Sequence, residues 1–338
     1  MNTTGYWITL AASCALAGVL FVFRLRASGE DGKKAAVFAS LGMLAGALAG
    51  YLLSKTLFIV LNGTYLLDQY GIGAFFRLRA HEFSFAGAAI GFILGLSGAA
   101  RLACGKLLKG STAQVLDAFA LPGCLLVACL RGAELFLEQM GLGEMATLGL
   151  PEIEEGTLLA FVPVSVPTGW GSRLLAVCTI EALTALLVGL ACLLPKKKTW
   201  PAGLCFRNAA YWICGVQILL ELLRIVSAVF FFVHVDQALC AIVLCVLMFS
   251  ACRRLRNAGK KIPAGAPVLL GICLVVNGLV QYFMDKPWKL EGILPGESFY
   301  WVNDRLAPLG FILMTLTVIG MISAWILVRR RLERLPDA

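Results

Sequence analysis

Of the 338 residues, 59% are hydrophobic and 14% charged, and the mean hydropathy is +0.85, whereas a soluble domain carries about 25% charged residues. A water-soluble fold cannot cover that much apolar surface, so lipid is the solvent for most of the chain. The formal charge of +9 belongs to basic residues at the ends of apolar runs, which suits anionic lipid and not a nucleic-acid surface.

Apolar runs long enough to cross about 30 Å of hydrocarbon as a helix occur at 5–26, 35–62, 82–104, 112–140, 171–194, 204–232, 235–252, 266–284 and 307–328. They predict an all-α, polytopic transmembrane bundle of about nine helices. The first run has no preceding basic segment and no small-residue cleavage site after it, so it reads as a retained helix. On alternate loops, one set holds 19 Lys and Arg and the opposite set holds six. Basic residues stay on the cytoplasmic side, which predicts an outside N-terminus and a cytoplasmic C-terminus in a bacterial plasma (inner) membrane. Two outer segments, 63–81 and 141–170, are longer than turns, and long loops in compact proteins are often functional. A site is therefore expected to open outward.

The 12 cysteines are scattered through apolar segments without a C-x-x-C pair, so neither a zinc site nor a disulfide framework is indicated. No G-x-S-x-G, Walker-type or H-E-x-x-H pattern is present, which disfavours a serine hydrolase, a nucleotide-driven pump and a zincin, and no metal or cofactor is expected. A transporter would show an internal repeat and paired broken helices, and no such repeat is evident.

Ionisable groups inside hydrocarbon are costly unless paired, which makes them site candidates. In the fourth run Arg131, Glu134 and Glu138 share one helix face. A guanidinium there can hold a phosphate through two hydrogen bonds while a carboxylate orients it or takes a proton. An ion-paired face that only locks two helices is the structural alternative. In the sixth run Gln217, Glu221 and Arg224 also share a face, and Glu221 with Arg224 is alternatively an internal pair. Glu181, the sole acid of the fifth run, needs a cation, with Arg131 and Arg224 both available. Asp117, near the start of the fourth run, fits the favourable end of its own helix. The only histidines are His81 and His234, both expected on the outer side, where a solvated interfacial role is the plain reading. Gly42, Gly46 and Gly50, and again Gly87, Gly91 and Gly95, recur at spacing four, a pattern for close helix packing that can also admit a lipid chain.

In order along the chain, Gly5-Tyr6-Trp7, Phe83-Ser84-Phe85-Ala86-Gly87-Ala88-Ala89-Ile90-Gly91, Arg131 fourteen residues after Asp117, Glu221-Leu222-Leu223-Arg224 and Asp236-Gln237 form a series. It resembles the prolipoprotein diacylglyceryl transferases, seven-helix membrane enzymes that move a diacylglyceryl group from phosphatidylglycerol to the cysteine of a lipoprotein precursor. The glycine-bearing segment resembles the family's S-F-H-G-G-x-x-G, and the sixth-run residues resemble its R-x-x-x-E-x-x-R. The resemblance covers 1–255 and leaves 256–338 as two added helices with a basic tail. It implies that Arg131, Glu221, Arg224 and Tyr6 bind substrate; as catalytic candidates, Glu134 or Glu138 beside Arg131 would orient the phosphate, and His81, five residues before the vacant histidine position, is the local candidate for the base. Phosphatidylglycerol and a lipoprotein-precursor peptide are the implied partners. The chain departs from the family at Ala86, where the histidine should stand, and at Gln217, where an arginine should. Glu134 replaces an asparagine, and Gln139 stands at the position of an acid. Two readings follow: a divergent transferase, or a non-catalytic phospholipid-binding or assembly protein of the same fold.

Overall fold

A computed structural model describes residues 3–61, 65–79, 82–137, 141–143, 165–167, 173–194, 200–225, 229–230, 233–294 and 296–335. Among the described residues, the main helices lie along the predicted runs: α1 (Thr3–Ala27), α2 (Gly32–Leu61), α3 (Phe85–Ala103), α4 (Thr112–Ala133), α5 (Val177–Ala191), α6 (Leu204–Leu220), α7 (Val235–Asn257), α8 (Gly265–Asp285) and α9 (Leu306–Leu332). Among the described residues, seven of these, all but α5 and α6, are long and apolar enough to cross a membrane. The protein is therefore a membrane-embedded helical bundle. The chain forms two compact units, one of Met1–Glu138 with Ala182–Ala209, the other of Gln139–Glu181 with Ala210–Pro336.

In the first unit the core gathers Phe21, Leu25, Phe38, Leu96 and Phe119, all buried. Phe21 meets the ring of Phe38 at 6.0 Å and of Phe119 at 5.2 Å, both edge-on, an arrangement the ring quadrupoles favour. The two glycine rows face each other. A Cβ on Gly91 would stand 2.5 Å from the Ala49 carbonyl oxygen, and one on Gly50 2.8 Å from that of Ala88. The backbones of α2 and α3 are thus in contact, which at these positions glycine permits, and packing fills the groove between the two rows. Ser84 caps α3 by accepting from Gly87 N, and Ser111 with Gln114 forms a capping box on α4.

Asp117 does not serve its own helix. Its carboxylate accepts from Gly203 N and Phe206 N, each at 2.8 Å, and so caps α6, neutralising the donors that a helix start leaves open. Asp117→Ala is expected to cost about 1 kcal/mol, seen as a lower melting temperature and as faster amide exchange at the first turn of α6. Asp117→Asn, which keeps an acceptor, should lose much less.

In the second unit α8 and α9 pack closely, with Asn277 donating to Thr317 Oγ1 at 3.0 Å. Tyr211 of α6 stacks on Trp325 of α9 at 4.6 Å and donates to the Met321 carbonyl at 3.0 Å. Two predicted helices are shorter than their apolar runs. The fifth run opens as a strand, β3 (Arg173–Ala176), paired antiparallel with β1 (Leu142–Gly143) and β2 (Ser165–Pro167). Arg173 is tied there by its Nε donating to Ser165 Oγ at 3.0 Å, and sheet partners outweigh local helix propensity. The sixth run leaves the α-helix at Leu220, makes a 3₁₀ turn over Glu221–Leu223, and then forms a small ribbon of β4 (Val229–Phe230) and β5 (Val233–His234). Its tail is rich in valine and phenylalanine, residues that suit a pleated surface. The all-α expectation holds for the main body, with these two small antiparallel elements added.

Candidate functional site

The first unit carries a charged cluster at one end of its helices. Arg131 is 1% exposed. It lies 19 residues beyond Thr112, about 28 Å along α4 at 1.5 Å per residue, close to the full depth of a hydrocarbon layer. Its Nη1 donates to Glu134 Oε1 at 2.6 Å, and its guanidinium lies 3.5 Å over the ring of Phe85. The α-helix ends at Ala133 and Glu134 opens a 3₁₀ turn, so the pair forms across a change of helix type and not along a continuous α-helical face. Tyr6, on α1, lies within electrostatic reach of both Arg131 and Glu134. The fit of α1 on the 3₁₀ turn is close, since a Cβ on Gly5 would meet Phe136 Cδ1 at 2.9 Å. Arg131, Glu134 and Tyr6 are therefore brought together. Glu138 and His81 lie outside the described residues.

Ala86, where the family's histidine would stand, is buried at the start of α3 and offers no polar group. Nearby polar groups are ones the sequence reading passed over. Lys55 is 0% exposed, its Nζ donates to Glu82 Oε2 at 2.9 Å and it lies 4.6 Å over the ring of Phe83. Arg77 Nη2 is 3.3 Å from the other oxygen of Glu82. The short stretch from Glu82 to Phe85 thus serves Lys55 and Arg77 with its first residue and Arg131 with its last. Trp7 packs edge-on against Phe83 at 6.3 Å and Tyr6 against Trp7 at 5.2 Å, closing an aromatic wall beside the cations. A signal existed: Lys55 is the lone charge between Lys34 and Leu61, and a buried ammonium requires an acid.

The second unit holds the other candidates. Glu181 finds its cation in Arg224, with Nε to Oε1 at 3.1 Å and Nη2 to Oε2 at 2.5 Å, a two-point fork that fits carboxylate geometry. Arg224 Nε is 3.8 Å from Glu221 Oε2. Gln217 donates to Glu181 Oε1 at 2.7 Å and Glu221 Oε2 at 2.9 Å. The glutamine therefore supplies two N–H donors to two acids without adding charge. Gln237 donates to the Ile218 carbonyl at 2.7 Å, satisfying an acceptor freed where α6 tightens.

Comparison with known proteins finds no matching family model, no matching curated protein and no matching solved structure.

His234 is half-buried at the junction of β5 and α7. Burial lowers its pKa below the usual 6.5, while the charges of Glu221 and Asp285 pull the other way. A histidine harder to protonate when folded loses stability as pH falls through its unfolded value, near about 6.5, until the folded group also protonates. His234→Gln should therefore lose less thermal stability than the wild type between about pH 7.5 and 5.5, as measured by unfolding in detergent. An equal loss in both would exclude this role.

Proposed function

We propose that the protein is a membrane transferase that moves a diacylglyceryl group from phosphatidylglycerol to the cysteine thiol of a lipoprotein precursor. It works in the plasma membrane of a bacterium, with its N-terminus outside, its C-terminus cytoplasmic and its site facing outward. The observation that carries this reading is Arg131: a guanidinium 1% exposed, at headgroup depth, paired with Glu134 at 2.6 Å and backed by an aromatic face. Such a group suits a phosphate ester that arrives along the bilayer.

In the proposed reaction the thiol gives its proton to a base, Glu134, Glu138 or His81, and the thiolate attacks the terminal glyceryl carbon. The new bond is carbon–sulfur. The carbon–oxygen bond to phosphate breaks, and glycerol phosphate leaves with the electron pair, its charge met by Arg131 with Tyr6 alongside. Glu221 and Arg224 are assigned to substrate through the resemblance. One observation favours the second reading, a non-catalytic phospholipid-binding relative: Ala86 and Gln217 stand where the family has a histidine and an arginine, and Gln217 is engaged with Glu181 and Glu221.

The test is transfer of labelled diacylglycerol from phosphatidylglycerol to a lipoprotein-type cysteine peptide in proteoliposomes. Transfer by the wild type, at least tenfold above Arg131→Lys, is expected. A folded, lipid-binding wild type that transfers nothing would leave the non-catalytic reading standing.

A further inference from the structure

A second feature of the first unit concerns the membrane itself and is independent of the transferase reading. Helix α2 has 30 residues, about 45 Å at 1.5 Å per residue, so it outruns a hydrocarbon layer of roughly 30 Å. Counted from Lys34 in its basic first turn, Lys55 lies 21 residues on, about 31 Å along the axis. The ion-paired group of Lys55, Glu82 and Arg77 therefore sits at the level of lipid phosphates at the Leu61 end of α2. Helix α3 gives the same level from the other direction: Phe85 is 16 residues from Arg101, about 24 Å, and Glu82 lies just beyond.

The segment between these helices, a short helix at Tyr65–Tyr70 followed by a 3₁₀ helix at Gly71–Phe76, is pinned at that depth. Tyr51 donates its hydroxyl to the Phe75 carbonyl, and Tyr51 is one turn nearer the bilayer centre than Lys55. Ala74 points inward and is buried. Arg77 stacks over Tyr70 at 3.7 Å and pairs with Glu82 at 3.3 Å. Facing away from the protein are Ile72 at 80%, Phe76 at 77% and Leu78 at 62% exposure, large apolar side chains next to Arg77. Exposed Leu44, Leu48 and Leu52 mark the lipid-facing stripe of α2 below. An apolar outer face with basic groups at phosphate level is the signature of an element lying in the plane of the interface.

We propose that residues 65–78 are an in-plane membrane anchor whose ligand is the phospholipid leaflet at the Leu61 end of α2, with Ile72, Phe76 and Leu78 among the upper acyl chains and the Arg77–Glu82 pair at the level of the phosphates. The anchor fixes the aromatic and charged stretch from Glu82 to Phe85 relative to the bilayer surface, because Glu82 holds Arg77 directly.

The test places an environment-sensitive fluorescent amino acid at position 72, at position 76, or at position 44 as a mid-helix control, in the full chain reconstituted in phosphatidylcholine–phosphatidylglycerol vesicles. Each sample must elute as a single species before reconstitution. Labels at 72 and 76 are expected to be quenched several-fold more by a nitroxide near the head of the acyl chain than by one near its end. The label at 44 should show the reverse order, and none should respond to aqueous iodide. Iodide quenching at 72 and 76 would overturn the proposal by placing the segment in water. Quenching there by neither agent, with the control behaving as expected, would also overturn it by showing that protein covers the face.

Discussion

Arg131→Met is expected to lower stability by about 3–5 kcal/mol, because it removes one partner of a buried pair and takes the Arg131 charge away from the Glu134 carboxylate. Glu134 is buried and receives the Arg131 Nη1 hydrogen bond at 2.6 Å, so the loss falls on a group with little access to water. The double variant Arg131→Met, Glu134→Gln removes both charges and should recover most of that loss, since replacing a buried pair as a whole is often nearly neutral. Melting temperatures of the two variants in one detergent decide the matter. If the double variant is no more stable than the single one, the pair does not account for the burial of Arg131.

Gly91→Leu is expected to be among the most damaging single substitutions in the first unit. The Cβ alone would stand 2.5 Å from the Ala49 carbonyl oxygen and 2.8 Å from the Gly50 Cα. These are backbone atoms, which cannot swing aside as a side chain can, so α2 and α3 must separate along their length. A cost of about 3 kcal/mol or more is expected, at or above the upper end for overpacked cores. Gly98 is the control on the same helix, where a Cβ meets nothing within 4 Å. Gly98→Ala should be neutral or stabilise by up to about 1 kcal/mol through helix propensity. Equal effects at 91 and 98, measured as folded yield and melting temperature, would contradict the close contact.

The helical body was legible because lipid imposes one rule, that each spanning segment satisfies its own backbone hydrogen bonds, and apolar length reports it directly. The glycine rows were legible for a similar reason, since spacing four places small residues on one face. The reading failed where apolar content no longer means helix. Arg173–Ala176 and the ribbon of Val229–Phe230 with Val233–His234 are as apolar as the helices that adjoin them, and their strand state depends on pairing with another strand, which apolar content does not report. In the candidate site, Arg131 with Glu134 was visible as local spacing, and so was Glu221 with Arg224. The choice of Arg224 as the partner of Glu181 spans 43 positions, and local spacing carries no information about it. Lys55 with Glu82 was missed for the opposite reason: each lies near a helix end, where a charge looks ordinary until the depth along α2 is counted.

The proposed role of Arg131, holding the phosphate of a membrane lipid, is tested most directly by native mass spectrometry of the protein released from mild detergent. The wild type should retain phosphatidylglycerol, and the folded double variant Arg131→Met, Glu134→Gln should retain at most about a tenth as much, a difference of about 1.4 kcal/mol or more in binding. Equal retention of phosphatidylglycerol by the two proteins, with the double variant shown to be folded, would show that Arg131 does not hold the lipid.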